Sequence, residues 1–217
     1  MDLACGSTNE RGQIIQTFEK WGSTFKVEFD IMANKAKTGY TNVLHLTTGE
    51  DCCGNGQRIP SVYINQHGEF VIITSLNGNG NYWFNYNFND GQKYHFVIEQ
   101  TFEDGIVMYK IVVDGEVVLS QQNNQPQNFN NVMAYVSDPW NPTFDGCMEN
   151  LKFTPGNGNR IQNYFFWLLY ILNQDFHYTD IVSCGNQLAE SCSDCPLDGC
   201  SGDCILDNEQ CKNSKSK

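Results

Sequence analysis

Three sets of residues in this chain have types and spacings that could do chemistry. The first is sulfur. There are ten cysteines: Cys5, Cys52, Cys53, Cys147, Cys184, Cys192, Cys195, Cys200, Cys204 and Cys211. Four fall within SCSDCPLDGCSGDC, residues 191–204. Zinc ribbons pair two Cys-x-x-Cys knuckles across a longer spacer, often with histidine. Here only Cys192–Cys195 has knuckle spacing, and His45, His67, His95 and His177 all lie outside the cluster. Gly, Ser, Asp and Pro fill the gaps, and such a segment has too little apolar surface to hold itself together without covalent staples. The cysteines are therefore read as half-cystines, which places the protein in an oxidising, secreted or extracellular setting. Adjacent half-cystines close a strained ring when they bond each other. Cys52 and Cys53 are thus expected to take separate partners, with Cys5 and Cys147 as candidates. Cys184 and the five tail cysteines would then make three further bridges.

The second set is oxygen. Three loops are rich in carboxylates and amides: GEDCCGNGQR with Glu50, Asp51 and Asn55, LNGNGNYW with Asn77, Asn79 and Asn81, and VSDPWNPTFDG with Asp138, Asn141 and Asp145. Ca²⁺ takes six to eight such oxygens. Asp138, Asp145 and Asp51 are the candidate metal ligands and Ca²⁺ the candidate cofactor. The competing reading is that Asp, Asn and Gly are simply turn formers. The third set joins aromatic faces to amides. Tyr82, Trp83 and Trp140 stand beside Asn81, Asn85 and Asp138, the side-chain chemistry that suits a sugar. Trp83 lies in an alternating strand and could equally face the core.

Charge removes several classes. The formal net charge is −12, from 13 basic and 25 acidic residues, and the only basic block is the tail KNSKSK. An acidic surface repels phosphate backbones and anionic lipid, so no nucleic-acid partner is expected. No G-x-S-x-G or H-E-x-x-H occurs. The apolar run Tyr164–Leu172 is too short for a membrane span of roughly 20 residues. MDLACGSTNE has neither the basic nor the apolar region of a secretion signal, so secretion would imply a mature form.

These groups must be positioned by strands. TFKVEFDIMA alternates Phe25, Val27, Phe29 and Ile31 with Lys26, Glu28 and Asp30. TNVLHLTT and YWFNYNF are further strands. SVYINQHGEFVIITSL is a hairpin turning near Gln66–Gly68, and residues 92–121 hold three strands with turns at EDG and DGE. VMAYVS and CMENLKF complete nine or ten strands with almost no helical periodicity. That pattern predicts an all-β, antiparallel two-sheet sandwich. Three regions follow: a sandwich over 1–154, an apolar connecting segment over 155–183, and a cysteine-rich module over 184–217. The connecting segment is read as an element docked on the sandwich, with a partner-facing helix or an insertion foreign to the fold as alternatives.

FDGCMENLKF (Phe144–Phe153) resembles the closing strand of laminin-G-like domains, and FKVEFDIMA, NVLHLTTG, YHFVIEQ and YKIVVDGEVV fit the same picture. The strand-DG-strand hairpin at 111–118 is common to concanavalin-A-like jelly rolls, which include pentraxins and legume-type lectins. The resemblance covers about residues 14–154. It implies a jelly-roll sandwich, rim loops able to hold Ca²⁺, and a bridge from Cys147 to a later cysteine such as Cys184, with Cys52 or Cys53 as rival. Laminarinase-like relatives carry Glu-x-Asp-x-x-Glu. Here the match is Glu28, Asp30 and then Ala33, and one carboxylate cannot serve as both nucleophile and acid. The expected function is therefore non-catalytic recognition of a glycan or matrix glycoprotein. A self-associating structural subunit of a matrix, coat or filament is the alternative, and a glycoside hydrolase comes third.

Overall fold

The computed structural model describes residues 11–156 and four short strands further along the chain. Eleven strands make up the first part: β1 (Ile14–Trp21), β2 (Phe25–Ala33), β3 (Tyr40–Thr47), β4 (Ser61–Asn65), β5 (Glu69–Leu76), β6 (Asn79–Asn87), β7 (Lys93–Glu103), β8 (Ile106–Val113), β9 (Glu116–Gln122), β10 (Phe129–Val136) and β11 (Gly146–Thr154). They form two antiparallel sheets, ordered β1-β10-β3-β4-β5-β6 and β11-β2-β7-β8-β9. The protein is thus an all-β jelly-roll sandwich, as the alternation predicts. β1 is the strand that pattern does not reveal. Its sequence IIQTFEKW does not alternate cleanly, and its burial is confined to Ile15, Phe18 and Trp21.

The inner faces meet over a core rich in aromatic rings. Phe29 and Phe96 stack with centroids 5.4 Å apart, and Phe70 meets Phe96 edge-on at 4.9 Å. Trp21, Val27, Leu44, Leu46, Val62, Ile64, Ile98 and Ile111 are fully buried around them. Each such side chain contributes about 1.5–3 kcal/mol by leaving water. β2 shows the two-residue period directly, with Phe25, Val27, Phe29 and Ile31 inward and Lys26, Glu28 and Asp30 outward. The outward carboxylates are tied down: Glu28 pairs with Lys26 and Lys152, and Asp30 with Lys93 and His95.

The chain separates into two compact units, Met1–Ile161 and Gln162–Lys217. In the second, Val182–Cys184 pairs with Gln187–Ala189 and Ile205–Leu206 with Glu209–Gln210, each as a short antiparallel ribbon. The apolar run Tyr164–Leu172 and the cysteines Cys5, Cys192, Cys195, Cys200, Cys204 and Cys211 lie outside the described residues. Among the described residues no helix is long and apolar enough to cross a membrane.

One expectation about the sulfurs is corrected. Cys52 and Cys53 are bonded to each other, with Cα atoms 3.1 Å apart, and the peptide between them is cis. Cys147 is also disulfide-bonded.

Candidate functional site

The outer face of the larger sheet carries the chemistry. Cross-strand register places Ser61, Ile73 and Trp83 in one row of β4, β5 and β6, and Asn42, Tyr63, Val71 and Asn85 in the next row, which begins on β3. Along β6 the period of two puts Asn81, Trp83 and Asn85 outward, while Tyr82, Phe84 and Tyr86 pack against the core. Tyr82, a candidate sugar contact by sequence, is therefore a core-side residue, and Trp83 is the exposed one at 63%.

Of these residues Tyr63, Val71, Ile73, Asn81, Trp83 and Asn85 line a cavity of about 440 Å³, completed by Tyr40, Arg58 and Asn141. Trp83 and Tyr40, the latter 53% exposed, stand as two open aromatic faces on its lining. The floor is Val71, Ile73 and Tyr63. A volume of this size with apolar walls and a few fixed polar groups is characteristic of small-ligand sites.

Two loops bring in the polar groups. The first, between β3 and β4, carries the Cys52–Cys53 ring. Arg58 extends from it over the Tyr63 ring at 5.4 Å. Its Nε donates to the Asp51 carbonyl at 3.1 Å and its Nη1 to Asn81 Oδ1 at 2.6 Å. Its Nη2 lies 3.6 Å from Asp51 Oδ1. The loop sits hard against β6: a Cβ on Gly80 would fall 2.7 Å from the Cys53 carbonyl oxygen, so only glycine fits there.

The second loop follows β10. Asp138 is fully buried, and its Oδ1 accepts from the backbone N–H of Trp140 at 3.0 Å and of Asn141 at 2.7 Å. Its Oδ2 lies 2.8 Å from Nδ1 of the fully buried His45. His45 Nε2 in turn donates to the Gln57 carbonyl at 2.6 Å. One imidazole thereby ties both loops to β3. Burial opposes ionisation of Asp138, but the His45 and Asn141 hydrogen bonds outweigh it and hold the carboxyl below its ordinary range. Trp140 packs on His45 at 5.3 Å and Tyr135 at 6.0 Å, and is 37% exposed. Asp138 and Trp140 thus shape the loop, while their neighbour Asn141 reaches the cavity. Tyr63 is buried, and burial pushes its pKa up.

Among the candidate metal ligands, Asp51 and Asp138 are brought together with His45, one ligand atom of each within 4.8 Å of the others. Asp145 is elsewhere, accepting from Asn34 Nδ2 at 3.0 Å. The trio does not fit Ca²⁺. That ion wants six to eight oxygens, and here one donor is a nitrogen. Both Asp138 oxygens already accept hydrogens from the chain, including Asn141 Nδ2 at 3.2 and 3.1 Å. Only Asp51 Oδ1 is buried without a hydrogen bond, and Arg58 already places a positive charge beside it. Arg58, Tyr63 and Tyr40 are site residues that a search for amide-rich loops passes over, whereas Asn85 is brought to the cavity as the sequence suggests. The alternation of SVYIN was the signal available for Tyr63.

No protein-family model matches the sequence, and none of the curated proteins matches it. Solved structures resemble the chain in fold. A heptameric SAP-like pentraxin from Limulus polyphemus aligns over 69% of this chain and 72% of its own, with 13% identity and a TM-score of 0.46. The CBM40 of a Ruminococcus gnavus IT-sialidase, solved bound to α2,3-sialyllactose, aligns over 74% and 98% with 12% identity and a TM-score of 0.45. A variant of human galectin-16 aligns over 67% and 99% with 9% identity and a TM-score of 0.40. At these scores the likenesses carry no argument for function. The reading of the site rests on its own geometry.

Proposed function

We propose that the sandwich is a non-catalytic glycan-binding module, and that its site is the cavity on the outer face of the larger sheet. One observation carries this reading: the exposed faces of Trp83 and Tyr40 line a cavity that also holds Asn81, Asn85, Asn141 and Arg58. A sugar ring has an apolar C–H face and a polar hydroxyl rim. An aromatic platform edged by amides complements both. A non-catalytic role is supported by the carboxylates. Among the described residues no carboxylate pair lines the cavity, as hydrolysis would need, and Glu28 and Asp30 are held in ion pairs on the other sheet. The Cys52–Cys53 bond and the bonded Cys147 support an oxidising, extracellular setting. Because the His45–Asp51–Asp138 trio does not suit calcium, binding is proposed to be calcium-independent.

The test is retention of the oxidised protein on a glycan and matrix-glycoprotein array, in Ca²⁺ and in EDTA, beside the Trp83→Ala variant. Retention unchanged by EDTA and lost in the variant is expected. Retention of no glycan in either buffer would refute the reading, and loss in EDTA alone would overturn its calcium independence.

A further inference from the structure

The three cavity amides are not free to turn either end toward a ligand. Asn85 Nδ2 donates to Glu69 Oε2 at 3.3 Å. Asn141 Nδ2 donates to both oxygens of Asp138. A carboxylate can only accept, so each NH₂ end is held at its carboxylate and the carbonyl oxygen is turned toward a ligand, with one N–H of Asn85 still to give. Asn81 is the reverse. Its Oδ1 accepts from Arg58 Nη1, and a guanidinium can only donate, so the NH₂ end of Asn81 is left over. The cavity therefore presents two amide acceptors, Asn85 Oδ1 and Asn141 Oδ1. Against them stand the NH₂ of Asn81 and the remaining N–H groups of Arg58 as donors.

Charge is also matched within the site. Among the described residues Arg58 is the one charged residue of the lining, and Asp51 lies 3.6 Å from it. Asp51 thus balances the Arg58 charge while leaving it N–H groups to give, and the net charge of −12 offers an approaching anion no attraction.

Resting on the glycan-binding reading, we propose that the cavity selects neutral sugars through a pair of neighbouring hydroxyl groups and discriminates against uronates and other acidic sugars. A hydroxyl both gives and receives a hydrogen bond, so adjacent hydroxyls satisfy the mixed set of amide ends. A carboxylate brings no donor. It would desolvate Asn85 Oδ1 and Asn141 Oδ1 and leave them unpaired, which is where discrimination between near-isosteric ligands is strongest.

The experiment is a calorimetric titration of the oxidised protein with neutral oligosaccharides and with uronate oligosaccharides of the same backbone and length, each at low and high salt. Neutral sugars are expected to bind at least roughly tenfold more tightly, with no dependence on salt. The Asn85→Ala variant, altered at an exposed position, should lose roughly fivefold of that affinity. Tighter binding of the uronates, weakened by salt, would overturn the proposal while leaving the glycan-binding reading intact. An unchanged affinity in Asn85→Ala would overturn the role given to that amide. Binding of neither series would remove the glycan-binding reading and this proposal with it.

Discussion

Two residues separate binding from stability. Trp83 is 63% exposed and contributes little to the core. Trp83→Ala should weaken sugar binding by roughly tenfold and leave the melting temperature nearly unchanged, which a titration beside a thermal scan would check. Asp138 is the opposite case. It is buried, paired with His45, and caps the loop that delivers Asn141. Removing one partner of a buried pair typically costs about 3–5 kcal/mol, so Asp138→Ala should fall well below the wild type in a denaturant titration. The pH dependence has a definite sign. The folded pKa of Asp138 lies below its unfolded value. The stability it contributes is therefore present above the unfolded pKa of about 3.9 and is lost as the pH falls through the lower folded value. Melting temperatures of the wild type should drop in that acidic window, and those of Asp138→Asn should drop less.

At the scale of elements, the Cys52–Cys53 loop is the one to disturb. A bridge between residues one apart in sequence closes almost no chain, so it constrains the unfolded state very little. Its effect is local. The loop braces Gly80 and holds Arg58 through the Asp51 carbonyl. The Cys52→Ser/Cys53→Ser double variant should keep its melting temperature within a few degrees and lose ligand affinity. Equal losses in both would assign the ring a role in stability instead. Much of this architecture could be read from the chain. The alternation in β2, the hairpins at Gln66–Gly68 and the DG turn between β8 and β9 mark strands and turns because burial imposes a period of two. What could not be read is which strands share a row. Arg58 and Asn81 are 23 residues apart, and Asp138 and His45 are 93 apart. Only the sheet order β10-β3-β4-β5-β6 brings their neighbourhoods together. The vicinal sulfur bond escaped for a different reason, since adjacent cysteines bond each other only exceptionally and the residue types carry no sign of the exception.

At the scale of the whole molecule, the sandwich is a rigid mount. Phe96 touches Phe29, Phe70 and Tyr86 across both sheets, so Phe96→Ala should cost about 3–5 kcal/mol and unfold the site along with the core, measurable as one cooperative transition. The strand beneath the cavity also has a fixed length. From Asn81 to Asn85 runs four residues of extended chain, about 13 Å at the rise of a β-strand, with Trp83 midway and both amides on the same face. A rigid strip of that span works as a ruler. Affinity should climb as a saccharide is lengthened until its rings fill the distance between the two amides, and further units should then add nothing.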